Sequence, residues 1–533
     1  MLREEILGGA GVCLRRRIGG NMRKHGMMAV VACLMCLGIS LSAWAAGKTL
    51  TIALESDPTN IDPRLGTDVN SARVAQLVTN ALLRKDPVSN LIPDLAEKWE
   101  TPDEKTYIFH LRKGVKFHDG AELTADDVKF TFDSILDPAL KSPKALAYEK
   151  VERIDVIDPY TIQFTLKEVF SPFLIEMTQP ILPRKITEAL EGKQFTNTLI
   201  GTGPFKLVEW THDQQLVFEA NPAYFEGAPK LERVVLRIIP EDSVRFLELK
   251  QGGVDLVQNA ILPDMVPIAE QTRGLKVVRG ESVVIYYLGF NFKDPILKHP
   301  NVRQAIAYAI DRKTIVEYLL KGQASLATGL LSPANWAYEP NVAAYEYDVE
   351  KAKKLLDEAG YPDPDGDGPQ SRFKITYKTS TTALRIHLGE VLQDQFKQVG
   401  IEISEIQMYE WAKFSDDIKS GNFQLFTLRW VGITEPDIFY SIFHSKMLPP
   451  DGRNRGGYAN PDIDRLTEAG RKECSLDGRK KIYSEIQKIL AEDLPYVYLW
   501  YPQNIVVMNE RVQGFVVYPD GDFVSVKDVW VKE

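Results

Sequence analysis

A mixed α/β fold divided into several domains is predicted by three observations. Strand-type and helix-type periodicities alternate along nearly the whole chain. The run FKITYKTS, ALRIHLGEVLQDQFKQVG, IEISEIQM (373–408) reads as strand, helix and strand, a βαβ unit. At 533 residues the chain is also too long for one hydrophobic core, and its length suggests about three domain-sized units.

Taken in order, KTLTIAL (48–54) is a first strand, followed by a turn-rich loop. GTDVN leads from a loop into an amphipathic helix with Val74, Leu77, Val78 and Leu82 on one face. Tyr107, Phe109 and Leu111 alternate with Ile108, His110 and Arg112, the period of a half-buried strand, and His118-Asp119-Gly120 turns the chain. Thr124 with Asp127 makes a capping box in which Asp stands for the usual Glu, and Val128, Phe132 and Ile135 fall on one face of the helix it opens. VERIDVIDPYTIQFTLKE (151–168) is a hairpin turning at Asp158-Pro159, and Ser171-Pro172 starts a helix. Residues 199–257 read as strand, turn, strand, loop, strand, helix, strand. Gly201 and Gly203 there suit a close backbone approach at a crossing between domains. VVIYYLGFNF (283–292) is a strongly apolar strand, and a helix beginning near Pro300 carries Val302, Ile306 and Ile310. A further helix ends at Gly360. GNFQLFTLRWVGITEPD (421–437) is a strand running into a loop, and PYVYLWYPQNIVVMN with the Phe515–Val526 segment supplies closing strands.

Hydrophobic content of 44% and charged content of 26% suit a soluble globular protein, and a net charge of −9 without a basic stripe argues against nucleic acid as a partner. The N-terminus reads as an export signal: Arg23, Lys24 and His25 are basic, Met27–Leu41 is apolar, and Ala43-Trp44-Ala45 is a small-x-small cleavage site. Residues 1–46 are therefore assigned as signal peptide. Within them 1–21 form an unusual upstream extension, and Met22 or a later Met is the alternative start. An uncleaved anchor and lipidation at Cys33 are the alternatives to cleavage; the Ala-x-Ala end favours cleavage. Removing 1–46 leaves Cys474 as the single thiol, so no internal disulfide is expected.

Past residue 46 no H-E-x-x-H, C-x-x-C or G-x-S-x-G occurs, and Cys33-Leu34-Met35-Cys36 falls inside the predicted signal peptide, so neither a metalloprotease, a redox dithiol nor a hydrolase elbow is indicated, and no cofactor is expected. Asp363-Pro-Asp365-Gly-Asp367-Gly matches the first half of an EF-hand loop. The position that needs a bidentate Glu is Lys374, which favours an acidic turn over a calcium ion held by Asp363, Asp365 and Asp367.

The wording of residues 94–136, LAEKWE…Y.F.LRKGVKFHDG..LTADDVKF.FD, closely resembles the signature of the extracytoplasmic solute-binding proteins of peptide-type ABC importers, solute-binding family 5. The resemblance extends over 48 to about 530. It implies a periplasmic binding protein type II-like fold, with two hinged lobes and an extra inserted domain. Domain I would comprise 47–82, 199–284 and 504–533, domain II 83–198, and domain III 285–503. It further implies a monomeric periplasmic subunit that captures a short peptide or related small solute by closing its lobes, then delivers it to an inner-membrane permease and ATPase complex. A binder of a non-peptide solute (metal chelate, opine or glycoside) and a sensory binding protein feeding a chemoreceptor are the alternatives. An exported hydrolase would need a catalytic constellation that the sequence does not offer.

Carried over by position, an extended ligand would pair by backbone with Asp68-Val69-Asn70, in the loop before the first helix, and with Arg429-Trp430-Val431. Trp430 would touch the ligand, and Tyr409, Trp411, Phe439 and Tyr440 are candidate pocket walls. Family peptide binders place an Asp shortly after the Trp for the α-ammonium, whereas here Val431-Gly432-Ile433-Thr434 offers no carboxylate. The amino-end anchor is expected at Asp68, Glu435 or Asp437, or the substrate has no such group. Arg385 and His387, at the start of a helix, are candidates for a carboxylate, with Arg429 a second cation.

Overall fold

The chain passes twice between two large sheets, and these two passages define two lobes. The computed structural model describes residues 48–190, 199–366, 368–450 and 452–532. The predicted signal peptide, with Cys13, Cys33 and Cys36, lies outside them. Among the described residues no helix is long and apolar enough to cross a membrane.

One lobe is built on a seven-stranded sheet in the order Leu275–Gly280, Asn504–Asn509, Leu256–Gln258, Thr49–Leu54, Arg233–Ile238, Gln215–Ala220, Phe205–Thr211. Thr49–Leu54 runs parallel to both of its neighbours. It is buried on both faces, as its apolar run requires. The other lobe is built on a six-stranded sheet in the order Ala324–Leu326, Tyr496–Pro502, Ile285–Phe290, Leu425–Trp430, Phe373–Ser380, Ile401–Tyr409. Phe373–Ser380, the helix Ala383–Lys397 and Ile401–Tyr409 form the predicted βαβ unit, its two strands parallel.

The first passage runs from Gly280 to Ile285, and the second, Pro502 to Asn504, leaves only Gln503 between two strands. PYVYLWYPQNIVVMN is thus one extended run that changes sheets in its middle. The buried Asn504 side chain ties the two passages together. Its amide donates to the carbonyls of Glu281 (2.9 Å), Tyr518 (3.0 Å) and Pro519 (2.9 Å), and its oxygen accepts from the Asn259 amide at 2.7 Å.

A four-stranded antiparallel sheet, Ala96–Asp103, Thr106–Leu111, Thr161–Leu166, Val151–Asp158, carries the signature stretch and the predicted hairpin. The helix Ala125–Leu136 covers it with Val128, Phe132 and Ile135, all fully buried. The Asp127 carboxylate caps that helix, accepting from the Thr124 amide at 2.9 Å and its hydroxyl at 3.1 Å. Where the chain re-enters the seven-stranded sheet, Gly203 donates its amide to Val78 at 2.9 Å. A Cβ at Gly203 would lie 2.4 Å from the Val78 carbonyl carbon, and one at Gly201 2.2 Å from the Val78 oxygen, so the predicted close approach is real.

Two expectations are corrected. The Phe515–Val526 segment contributes no strands; it is irregular and ends in a 3-10 turn at Val524–Asp528, with short paired strands only at Val512–Gln513 and Trp530–Val531. Gly514 and Gly521, at φ +81° and +80°, and Pro519 break the extended run. The helix expected at Ser171-Pro172 is a single turn, Phe173–Glu176.

Asn504→Ala leaves several buried carbonyls without a donor, and each such group costs about 1–3 kcal/mol. The substitution is expected to lower unfolding stability in urea by at least ~2 kcal/mol. An unchanged midpoint would remove Asn504 from its role at the hinge.

Candidate functional site

The Leu425–Trp430 strand pairs along its full length with Ile285–Phe290, bringing Arg429 opposite Tyr286 and Trp430 opposite Ile285. Its other edge meets Phe373–Ser380 only at Leu425 and Phe426. From Thr427 onward that edge has no strand neighbour, and the exposed Arg429 and Val431 occupy its end. An open edge of this kind offers backbone donors and acceptors to an extended guest.

Beside this edge lies a cavity of about 660 Å³ whose wall includes Thr382, Arg385, Trp411, Arg429, Val431 and Arg455. The predicted Arg385, Arg429 and Val431 are thus brought together. Arg385 is placed by the helix Ala383–Lys397, which begins just after Thr382. Its Nη1 donates to Ser380 Oγ at 2.7 Å, and its guanidinium lies 5.6 Å from the centre of the Trp411 ring. Burial makes this guanidinium a weaker base than usual, only partly offset by Tyr286, and the nearby Arg429 cation weakens it further. Trp411, 57% exposed, is the pocket-wall candidate that the structure does place on the cavity. Arg455 was not singled out from the sequence; the signal available was the basic turn Arg453-Asn454-Arg455 ahead of Gly456-Gly457.

Other predicted contacts lie elsewhere. Trp430 is 8% exposed and belongs to the core. Its ring stacks on Tyr287 (centroids 6.0 Å apart, 8° between planes) with the Arg455 guanidinium 4.6 Å from its centre. The strand alternation that sends Arg429 and Val431 outward sends Trp430 inward. Phe439 is likewise fully buried, stacked against Tyr483. His387 is exposed and reaches Glu390 at 3.1 Å. It sits two residues beyond Arg385 and so on another face of the helix. Tyr409 is half-buried with the Lys378 and Lys413 ammoniums over its ring, and Tyr440 carries the Arg471 guanidinium at 4.0 Å.

Asp68-Val69-Asn70 is not a loop. Asp68 is the N-cap of the helix Val69–Val78, so Val69 and Asn70 are helical and cannot pair as a strand with an extended ligand. The Asp68 carboxylate accepts from the amides of Ser71 (2.9 Å) and Thr59 (3.2 Å) and from both of their hydroxyls. Burial alone would raise its pKa, but these hydrogen bonds win and hold it below the ordinary Asp value. Asn70 is buried, donating to Ser56 O at 2.9 Å and accepting from Arg73 at 3.1 Å. This helix lines a different cavity, of about 470 Å³, through Ser71, Ala72 and Ala75, facing Lys144, Tyr148 and Glu176.

Glu435 and Asp437 are half-buried and paired, Glu435 with Arg479, and Asp437 with Arg471 at 3.1 Å. Glu176 approaches them from the four-stranded-sheet domain. Burial pushes Glu176 up to about 7, Asp437 and Glu435 add to the rise, and Lys144 opposes it. Burial likewise raises Glu435 to about 7 against the pull of Arg479, and it raises Asp437 against Arg471 and Arg479. The same contact is closed by Ser171, whose amide and hydroxyl donate to the carbonyls of Arg471 (2.8 Å) and Gly470 (3.1 Å). These carboxylates therefore lie at the contact with the four-stranded-sheet domain, and none of them lines the cavity beside Arg385.

In the acidic turn, the Asp363 carboxylate accepts from the Asp365 amide at 3.3 Å and lies 3.9 Å from Arg372. Asp365 accepts from Gln370 at 3.0 Å, and Asp367 lies outside the described residues. No cluster of three or more His, Cys, Asp or Glu suited to a metal occurs among the described residues.

The profile for bacterial extracellular solute-binding proteins, family 5 middle, matches residues 90–447. The oligopeptide-binding protein AppA of Bacillus subtilis is 31% identical over 96% of this chain and 99% of its own. The dipeptide-binding protein of Escherichia coli is 28% identical over 94% and 98%. The structure of B. subtilis AppA with a nonapeptide covers 91% of this chain and 99% of that one at a TM-score of 0.77. NikZ of Campylobacter jejuni with Ni(L-His) is 29% identical, with 91% of this chain and 99% of that one covered and a TM-score of 0.79.

Trp430→Ala is expected to cost about 3–5 kcal/mol of unfolding stability, the range for emptying an aromatic core site. Stability within ~0.5 kcal/mol of the parent, measured by urea unfolding, would return Trp430 to the ligand. A carboxyl raised from 4.5 to about 7 keeps its proton in the folded state where the unfolded chain has lost it. Its contribution is present below the unfolded value and lost as pH rises through about 7. The melting temperature should therefore fall between pH ~5 and ~8, and Glu176→Gln should flatten that fall. An equal slope in the variant would place the titration elsewhere.

Proposed function

The chain belongs to the bacterial extracellular solute-binding proteins of family 5. On that premise we propose that it is the substrate-binding subunit of an ABC importer, holding short peptides or a related small solute between its two lobes. The observation that carries this reading is the open edge at Arg429–Val431 beside the cavity lined by Arg385. An extended backbone laid along that edge gains main-chain hydrogen bonds without its side chains being read, and Arg385 at the helix start suits its terminal carboxylate. Binding would be by ligand-stabilised closure of the lobes about the two passages.

The protein performs no chemical reaction on this reading. Its partners are the permease and ATPase of the importer, it acts as a monomer, and residues 1–46 export it to the periplasm and are removed. Three domains are assigned: I at 47–82, 199–284 and 504–533; II at 83–198; III at 285–503. In support, each large sheet draws its strands from one of these sets alone. Among the predicted contacts we keep Arg385, Arg429 and Val431 as ligand-facing.

Mass spectrometry of small molecules released from the natively purified protein is expected to show peptides. Small-angle scattering of the emptied protein should register compaction when they are returned. Unchanged scattering across a broad peptide library would sink the peptide reading. Arg385→Ala should weaken binding by about 1.5–3 kcal/mol, the worth of a hydrogen bond to a charged group, by calorimetry. Unaltered affinity would return Arg385 to solvent.

A further inference from the structure

The cavity beside Arg429 has an unusual charge inventory. Arg385, Arg429 and Arg455 all line it, together with the hydroxyl-bearing Ser380, Thr381 and Thr382. The one carboxylate on its wall, Glu410, is exposed and accepts only a long hydrogen bond from Thr381 Oγ1 (3.4 Å).

None of the three guanidiniums is paired with a carboxylate among the described residues. Their donors go to neutral oxygens: Arg385 to Ser380 Oγ at 2.7 Å, Arg429 to Tyr286 OH at 3.3 Å, and Arg455 to Tyr287 OH at 3.3 Å. The two longer contacts are weak, and each leaves most of the guanidinium's five N–H donors unspent. Several part-buried arginines elsewhere are treated differently. Arg479 is paired with Glu435, Arg471 with Asp437, and Arg511 with Asp255. Arg303 is saturated by the carbonyls of Leu297, Lys298, Asp493 and Leu494. Three guanidiniums without a carboxylate partner among the described residues are thus gathered on one wall. Arg385 and Arg429 also repel one another.

Arginine does not shed its charge, so the imbalance persists at every working pH. When the lobes close, water that now screens these cations is expelled, and an unpaired charge in a dry site is strongly disfavoured. A solute with a single terminal carboxylate would balance Arg385 and leave two guanidiniums unanswered. The planar fork of each is shaped for a carboxylate.

We propose that the cognate ligand carries at least two carboxylates, one taken by Arg385 and a second by Arg429 and Arg455, so that acidic peptides are preferred over neutral ones. The assignment rests on the peptide-binding reading above and narrows it. The second carboxylate would lie where the Arg455 guanidinium is already held against the Trp430 ring, and that packing fixes the orientation of its fork.

The test is calorimetry on the emptied mature protein with Ala-Ala, Ala-Glu, Glu-Glu and glutarate. Ala-Glu or Glu-Glu should bind roughly tenfold or more tightly than Ala-Ala, the margin of a charge-assisted bidentate pair. That ratio should collapse in Arg429→Gln and in Arg455→Gln. Arg429 is exposed, so its variant carries the test even if the change at Arg455, which packs on Trp430, unfolds the protein. Ala-Ala bound as tightly as the acidic peptides, or an undiminished ratio in Arg429→Gln, would overturn the proposal while leaving the peptide reading intact. Glutarate binding without any peptide binding would do the reverse: the charge assignment would stand and the peptide reading would fall.

Discussion

The rest of the structure depends on two strand-to-strand passages lying side by side. At one the chain moves from Gly280 to Ile285, and at the other from Pro502 to Asn504. Gly280 pairs with Asn504 in the seven-stranded sheet, and the Asn504 side chain bonds across to Glu281, Tyr518 and Pro519. Two short antiparallel tethers leave one easy motion, a rotation of one sheet against the other, and resist sliding or separation. A buried amide that satisfies so many carbonyls is costly to disturb, which keeps the axis in place while the lobes move.

The candidate site is built outward from that axis. Ile433 donates its amide to Val283, inside the first passage, at 3.2 Å, and Trp430 sits opposite Ile285 just beyond it. Trp430 is therefore the packed inner face of the strand whose outer face presents Arg429 and Val431. Its ring, stacked with Tyr287, also supports Arg455. A residue that the family pattern would assign to the ligand thus packs here against one that lines the cavity.

The contact between the four-stranded-sheet domain and the lobe carrying Glu435 has an electrostatic side as well. Glu176, Glu435 and Asp437 meet where the four-stranded-sheet domain touches the other lobe, and all three carboxyls are pushed upward by burial. Arg471, under Tyr440 and beside Asp437, spans the same contact and presents its carbonyl to Ser171. Burying several carboxylates together is tolerable because arginines pair with two of them and a proton can satisfy the third.

Periodicity by itself determined most of the elements. The βαβ unit at 373–409, the hairpin at 151–166, the capped helix at 125–136 and the crowded glycines at 201 and 203 are local features, decided by alternation, capping and the absence of a Cβ. The signature at 94–136 also determined the family, although it folds into a domain away from the arginine cavity. Only the tertiary structure decided which side chains meet. The pleat turned Trp430 into the core, the helical turn carried His387 away from Arg385, and the Ser71 amide made Asp68 a helix cap. It likewise brought Arg455 to Arg385, a pairing of residues seventy positions apart that no local pattern encodes. A sequence shows which way a strand or helix will form; which face of it is covered depends on what the rest of the chain lays against it.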